Sequence, residues 1–104
     1  LIDYNLSMRI DPIQAKQTLA IIRHRFGDDA LVKLFGSRAD DARRGGDVDL
    51  YVEVDHPVAL VDEARCRVEL ADLFDLAVDL VVNDGRQNNP IYRIAAQTGI
   101  LLIP

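Results

Sequence analysis

At 104 residues the chain has room for one hydrophobic core and none for a second substrate domain, so 1–104 is read as a single domain with 1–10 as an N-terminal segment. An apolar share of 49% excludes a disordered tail, and no apolar run approaches the roughly 18 residues of a membrane-spanning helix. The net charge of −5 counts against a broad grip on nucleic-acid phosphates, and one cysteine, Cys66, allows neither an internal disulfide nor a CxxC zinc pair. A reducing cytoplasm is the expected compartment, and the first ten residues lack the basic end and long apolar stretch of a signal peptide.

In chain order, Asp11-Pro12-Ile13-Gln14 reads as a helix start: an N-cap, a proline at the first helical position and a Gln three residues after the cap. Ala15, Leu19, Ile22 and Phe26 recur at helical spacing, and Gly27 is placed to end the helix. Leu31–Phe35 is a first strand, stopping at Gly36-Ser37, with a short helix expected across 38–43. Asp47–Val54 is a second strand; its alternation sets Val48, Leu50, Val52 and Val54 on one face and Asp47, Asp49, Tyr51 and Glu53 on the other. His56-Pro57 is expected to open a second helix with Val61, Ala64, Val68 and Ala71 on one stripe. Leu76–Val82 is a third strand, with Asp79 opposite the core-facing Val78, Leu80 and Val82, and with Asp75 in the turn before it. Asn89-Pro90 opens a third helix running to Gly99, and Ile100–Ile103 is a short edge strand. The order α-β-β-α-β-α-β implies an α/β (α+β) fold: a mixed sheet of about four strands, with helices on one face and the acids on a partly open face.

Asp47 and Asp49 lie on one side of one strand, about 7 Å apart by strand rise. Asp79, from another strand with the same facing, completes a cluster of three carboxylates. Such a cluster calls for compensating charge, which a hard divalent cation supplies while also binding waters and phosphates. Two such ions can clamp the attacking and leaving oxygens of an in-line displacement at phosphorus. Gly36 allows a phosphate close to the backbone, and Ser37 adds a hydroxyl near a helix N-terminus. Neither a Walker loop nor a GxGxxG fingerprint is present.

Gly36-Ser37, nine intervening residues and Asp47-Val48-Asp49-Leu50 resemble the Gly-Ser…Asp-x-Asp pattern of the DNA polymerase β-like nucleotidyltransferase superfamily. Leu34-Phe35-Gly36-Ser37-Arg38-Ala39 is similar to its small prokaryotic branch, the minimal nucleotidyltransferase (MNT) domain. The likeness covers nearly the whole chain and includes the later acid in Val78-Asp79-Leu80-Val81. It implies a polymerase β-like fold and transfer of AMP from ATP to a hydroxyl acceptor. Asp47, Asp49 and Asp79 would be the catalytic acids and hold Mg²⁺, two ions during catalysis. Gly36, Ser37 and Arg38 would hold the triphosphate. Gly46 departs from the Ser or Thr that many relatives carry before the first Asp.

Because small MNT proteins are often paired with small helical HEPN proteins, the resemblance implies an antitoxin whose acceptor is a tyrosine on a HEPN toxin. The alternatives are a module that neutralises its partner by contact alone, or transfer to a small molecule or RNA end. No membrane partner and no stable nucleic-acid complex is expected, and a homo-oligomer is compatible with the sequence. The bland readings are assigned to Arg43 and Arg44 as loop charges, to His24 and His56 as structural, to Cys66 as an inert helix residue, and to Tyr51 as sheet-surface packing.

Overall fold

The computed structural model describes residues 10–36 and 48–104. The first helix, α1 (Pro12–Phe26), begins and ends where its local chemistry requires. The Asp11 carboxylate accepts from the Gln14 amide at 2.7 Å, satisfying one of the orphan donors of the first turn. Gly27, at φ 105°, closes the last turn with its N–H on the Arg23 carbonyl. The four expected apolar positions are buried together with Thr18, whose hydroxyl donates to the Gln14 carbonyl at 2.7 Å and so enters the core satisfied.

Three strands follow the expected pattern: β1 (Leu31–Phe35), β2 (Val48–Glu53) and β3 (Val78–Asn83). A two-residue β4 (Ile100–Leu101) forms one edge, giving the order β3-β2-β1-β4. β1 runs antiparallel to both β2 and β4, whereas β2 and β3 are parallel. Parallel neighbours need a long crossover, and α2 (Leu60–Phe74) supplies it. The last helix is α3 (Pro90–Thr98), capped by the Asn89 side chain on the Ile91 amide. The expected helix across 38–43 lies outside the described residues.

One face of the sheet packs under α1 and α2: Val32, Leu34, Val48, Leu50, Val52 and Val78 join Leu19, Ile22, Phe26, Cys66 and Leu70 in the main core. α3 crosses part of the other face, where Phe35, Tyr51 and Ala95 form a second, smaller core. The Lys33 ammonium donates to the Ala96 carbonyl at 2.6 Å, which fastens the end of α3 to β1, and the Gly99 amide caps that helix on the Ala95 carbonyl. Gly99 sits tight there: a Cβ would come 2.8 Å from Lys33 Cβ.

Two details of the second helix differ from the sequence reading. His56-Pro57 does not open it; α2 starts at Leu60 after an uncapped Ala59, and His56 reaches back to donate to the Phe26 carbonyl at 2.8 Å. Three of the four expected stripe residues face outward, with Val61 53% and Val68 63% exposed and Ala64 exposed as well, whereas Ala71 is partly buried against the main core. α2 carries two apolar faces, and the sheet covers the bulkier one, with Cys66 and Leu70 fully buried and Phe74 packed beside them. Burying the larger side chains removes more apolar area from water. Burial also pushes the Cys66 thiol up to about 11, consistent with an inert core residue.

Leu70→Ala should therefore cost about 2–5 kcal/mol in denaturant unfolding, whereas Val68→Ala should change stability by only about 0.5 kcal/mol. Equal costs at the two positions would contradict this assignment of the helix faces.

Candidate active site

The site is built at the start of two neighbouring strands. Parallel register places Asp49 of β2 opposite Asp79 of β3, on the sheet face opposite the main core. Strand spacing puts their backbones about 4.8 Å apart. Asp49 is half-buried and Asp79 is exposed, so the pair opens to solvent on one side. Like charges in register on adjacent strands repel, and a cation between them would reverse the sign of that interaction. Among the described residues no three His, Cys, Asp or Glu side chains gather; Asp47, the expected third acid, lies outside them.

β1 delivers the second part of the site. Its last residue, Phe35, is the register partner of Asp49, which carries Gly36 over the acid. Gly36 has φ 71°, a conformation that side chains disfavour, and an added Cβ would stand 2.9 Å from Asp49 Cγ. The absent side chain is what allows the backbone and the carboxylate to share this space. Ser37 and Arg38, expected beside Gly36 for the triphosphate, lie outside the described residues, as do Arg43 and Arg44. The structure thus brings together Gly36, Asp49 and Asp79 of the six expected site residues.

Further along the same face is a polar network that sequence reasoning did not assemble. Tyr51, only 1% exposed, donates its hydroxyl to Glu53 at 2.8 Å and accepts from the Asn83 amide at 3.0 Å. Its ring lies 6.1 Å from that of Tyr92, whose own hydroxyl donates to the Val82 carbonyl. Tyr51 is therefore packing rather than a stacking surface for a nucleotide. Glu53 and Asn83 are register partners, so alternation down β2 and β3 was a usable signal for the pair once their adjacency was known.

Beyond β3, Asp84 accepts from the Val58 amide and from Arg86, while Arg86 donates to the Val58 carbonyl at 3.0 Å. The Arg86 guanidinium and the Val58 amide hold the Asp84 carboxyl down at about 2. This clamp ties the end of β3 to the turn before α2, and so helps keep the two acid-bearing strands together.

Burial, reinforced by Glu53, raises the Tyr51 hydroxyl from 10.0 to about 12 despite the opposing Asn83 hydrogen bond. The unfolded chain releases this proton first, so the stabilisation is complete below pH 10 and is lost as pH rises towards about 12. Absorbance titration should resolve a late tyrosine ionisation that Tyr51→Phe removes; its persistence in that variant would assign it elsewhere.

The nucleotidyltransferase domain family model matches residues 15–102. Comparison with curated proteins finds no match. Among solved structures, a chain of the tri-AMPylated Shewanella oneidensis HEPN toxin in complex with MNT antitoxin superposes with a TM-score of 0.68 at 21% identity, covering 88% of this chain and 70% of that one. A chain of a toxin–antitoxin crystal structure with AMP-PNP gives 0.73 at 21% identity, covering 86% and 72%. A protein described as a candidate minimal nucleotidyltransferase gives 0.65 at 25% identity, covering 85% and 88%. The family match spans most of the chain and the fold agrees with it: this protein is a nucleotidyltransferase and belongs to the nucleotidyltransferase domain family.

Proposed function

We propose that this nucleotidyltransferase moves AMP from ATP onto a hydroxyl acceptor, a tyrosine of a small helical HEPN-type toxin, and thereby acts as an antitoxin. The observation that carries the reading is the Asp49–Asp79 register pair with Gly36 seated on Asp49. Two carboxylates side by side, one of them solvent-open, suit a hard divalent cation, and a glycine at positive φ beside them suits close approach of a phosphate. Support for the acceptor class comes from the Shewanella oneidensis HEPN toxin, which is tri-AMPylated in its complex with an MNT antitoxin.

Asp49 and Asp79, with Asp47 assigned from the motif, would hold Mg²⁺, two ions during catalysis. When bound, the metal supplies charge stabilisation at the transferring phosphoryl group and its leaving oxygen. Gly36 would keep the triphosphate close to the strand end, with Ser37 and Arg38 assigned beside it from the motif. In the transfer the acceptor oxygen bonds to the α-phosphorus and the bond from that phosphorus to the α–β bridging oxygen breaks. Pyrophosphate leaves, and the hydroxyl proton passes to solvent. The residues contribute mainly orientation and charge, which is what an in-line phosphoryl displacement requires. A cytoplasmic setting follows from the ATP donor and the single unpaired cysteine.

The test is label transfer from α-phosphate-labelled ATP, with Mg²⁺, to the protein encoded by the neighbouring gene. Asp49→Asn and Asp79→Asn should each lower transfer about 100-fold or more while the partner still binds, as should the Asp47→Asn/Asp49→Asn control. Gly36→Ala should lower it comparably with the fold intact by circular dichroism, because its Cβ would displace the Asp49 carboxylate. Protection of cells by the Asn variants would overturn transfer as the mode of neutralisation and favour contact alone.

A further inference from the structure

On the acid-bearing face of β3, alternation from Asp79 leads through Val81 to Asn83, four residues and about 13 Å further along the strand. Asn83 forms one wall of a cavity of about 500 Å³ bounded by the loop after β3 and the first turns of α3. Both ends of that loop are fixed: the Asn83 side chain accepts from the Gly85 amide, Arg86 is clamped on Asp84, and Asn89 caps α3. Tyr92 anchors the helix on β3 through its hydroxyl on the Val82 carbonyl. Between these fixed points Gln87, Asn88 and Arg93 line the cavity and are exposed. Their side chains make no hydrogen bond or ion pair among the described residues. Ile94, 54% exposed, stands on the rim.

We propose that this cavity seats the polypeptide of the acceptor protein: an extended segment a few residues from the modified tyrosine, with a carboxylate for Arg93. The inference deepens the proposed transfer and rests on it. Across the sheet, Gly36 at the end of β1, Asp49 on β2 and Asp79 on β3 follow one another. An in-line displacement sets the entering oxygen opposite the leaving pyrophosphate. With the triphosphate held at Gly36, the acceptor enters from the β3 side, which is an edge of the described sheet and the side on which the cavity lies. A chain following β3 from Asp79 to the cavity covers that distance in about four extended residues. Gln87 and Asn88 each offer a donor and an acceptor, the complement of a peptide group, and Arg93 offers charge to a carboxylate. The exposed Ile94 adds an apolar contact at the rim. A nucleobase is commonly held by stacking on a free aromatic face. Tyr92 does not provide one, because its ring packs 6.1 Å from that of Tyr51 and its hydroxyl is bound to β3. The lining therefore favours a polypeptide over the base of the donor.

Steady-state transfer from α-phosphate-labelled ATP to the protein encoded by the neighbouring gene, with ATP and acceptor varied separately, tests the assignment. Arg93→Glu should raise the acceptor KM at least about fivefold, and Gln87→Ala/Asn88→Ala about threefold or more. In both, kcat and the KM for ATP should stay unchanged, because the contacts lie away from the reacting atoms. Lys16→Glu, the same reversal of charge on α1 behind the sheet, should alter none of the three constants. These positions are all exposed, and circular dichroism checks that each variant is folded. An unchanged acceptor KM in the cavity variants, or an equal rise in Lys16→Glu, overturns the docking assignment and leaves the transfer standing. A raised KM for ATP in its place gives the cavity to the nucleoside and overturns the assignment too. If the wild-type chain labels nothing, the transfer itself falls, and the docking assignment falls with it.

Discussion

Parallel pairing of β2 with β3 sets Asp49 opposite Asp79, and that pairing is the constraint on which the rest of the sheet face depends. The pairing is costly to assemble locally, because parallel strands cannot be joined by a tight turn. The chain meets that requirement with α2, whose Cys66 and Leu70 bury against the opposite face of the same strands. The main core therefore holds the acids together without contacting them, and the Asp84–Arg86 clamp secures the far end of β3 to the turn that begins the crossover.

The remaining elements protect the opening of that face. β1 runs antiparallel to β2 and so ends where β2 begins, which brings Gly36 onto Asp49 rather than to the opposite end of the sheet. α3 could have covered the acids as well. Its position is set instead by Tyr51 and Tyr92, by the Asn83–Tyr51–Glu53 hydrogen bonds, and by Lys33 on the Ala96 carbonyl, all placed along the strands beyond the acid pair. A buried phenol with both its donor and its acceptor satisfied makes a rigid support. The result is a nucleotidyltransferase whose second face is closed over Phe35, Tyr51 and Ala95 while Asp79 remains exposed.

Much of this was legible in the chain itself, for a local reason. Asp11, Pro12 and Gln14 act within one turn, and Gly27 closes the same helix through a bond to Arg23, so both ends of α1 are written in adjacent residues. Strict alternation in β2 likewise separates Asp49, Tyr51 and Glu53 from Val48, Leu50 and Val52 without reference to any other segment. Asp79 was found by the same rule in β3. Neither rule could order the strands or join Asn83 to Tyr51, since the two residues meet only after the crossover has been made.

Sequence alone thus determined where most elements lie, which strand face bears the acids, and, through the Gly36-Ser37 and Asp47-Val48-Asp49 pattern, the family to which the chain belongs. Tertiary structure alone decided which face of α2 is buried and where that helix starts. Periodicity marks the Val61–Val68 stripe and the Cys66–Leu70 face alike as apolar, and only competition for the sheet surface separates them. It also decided that Asp49 and Asp79 are nearest neighbours and that Gly36 lies on the first of them. Local patterns act over one turn or a few strand residues, whereas these contacts depend on strands brought together from distant parts of the chain by a helix packed across the opposite face.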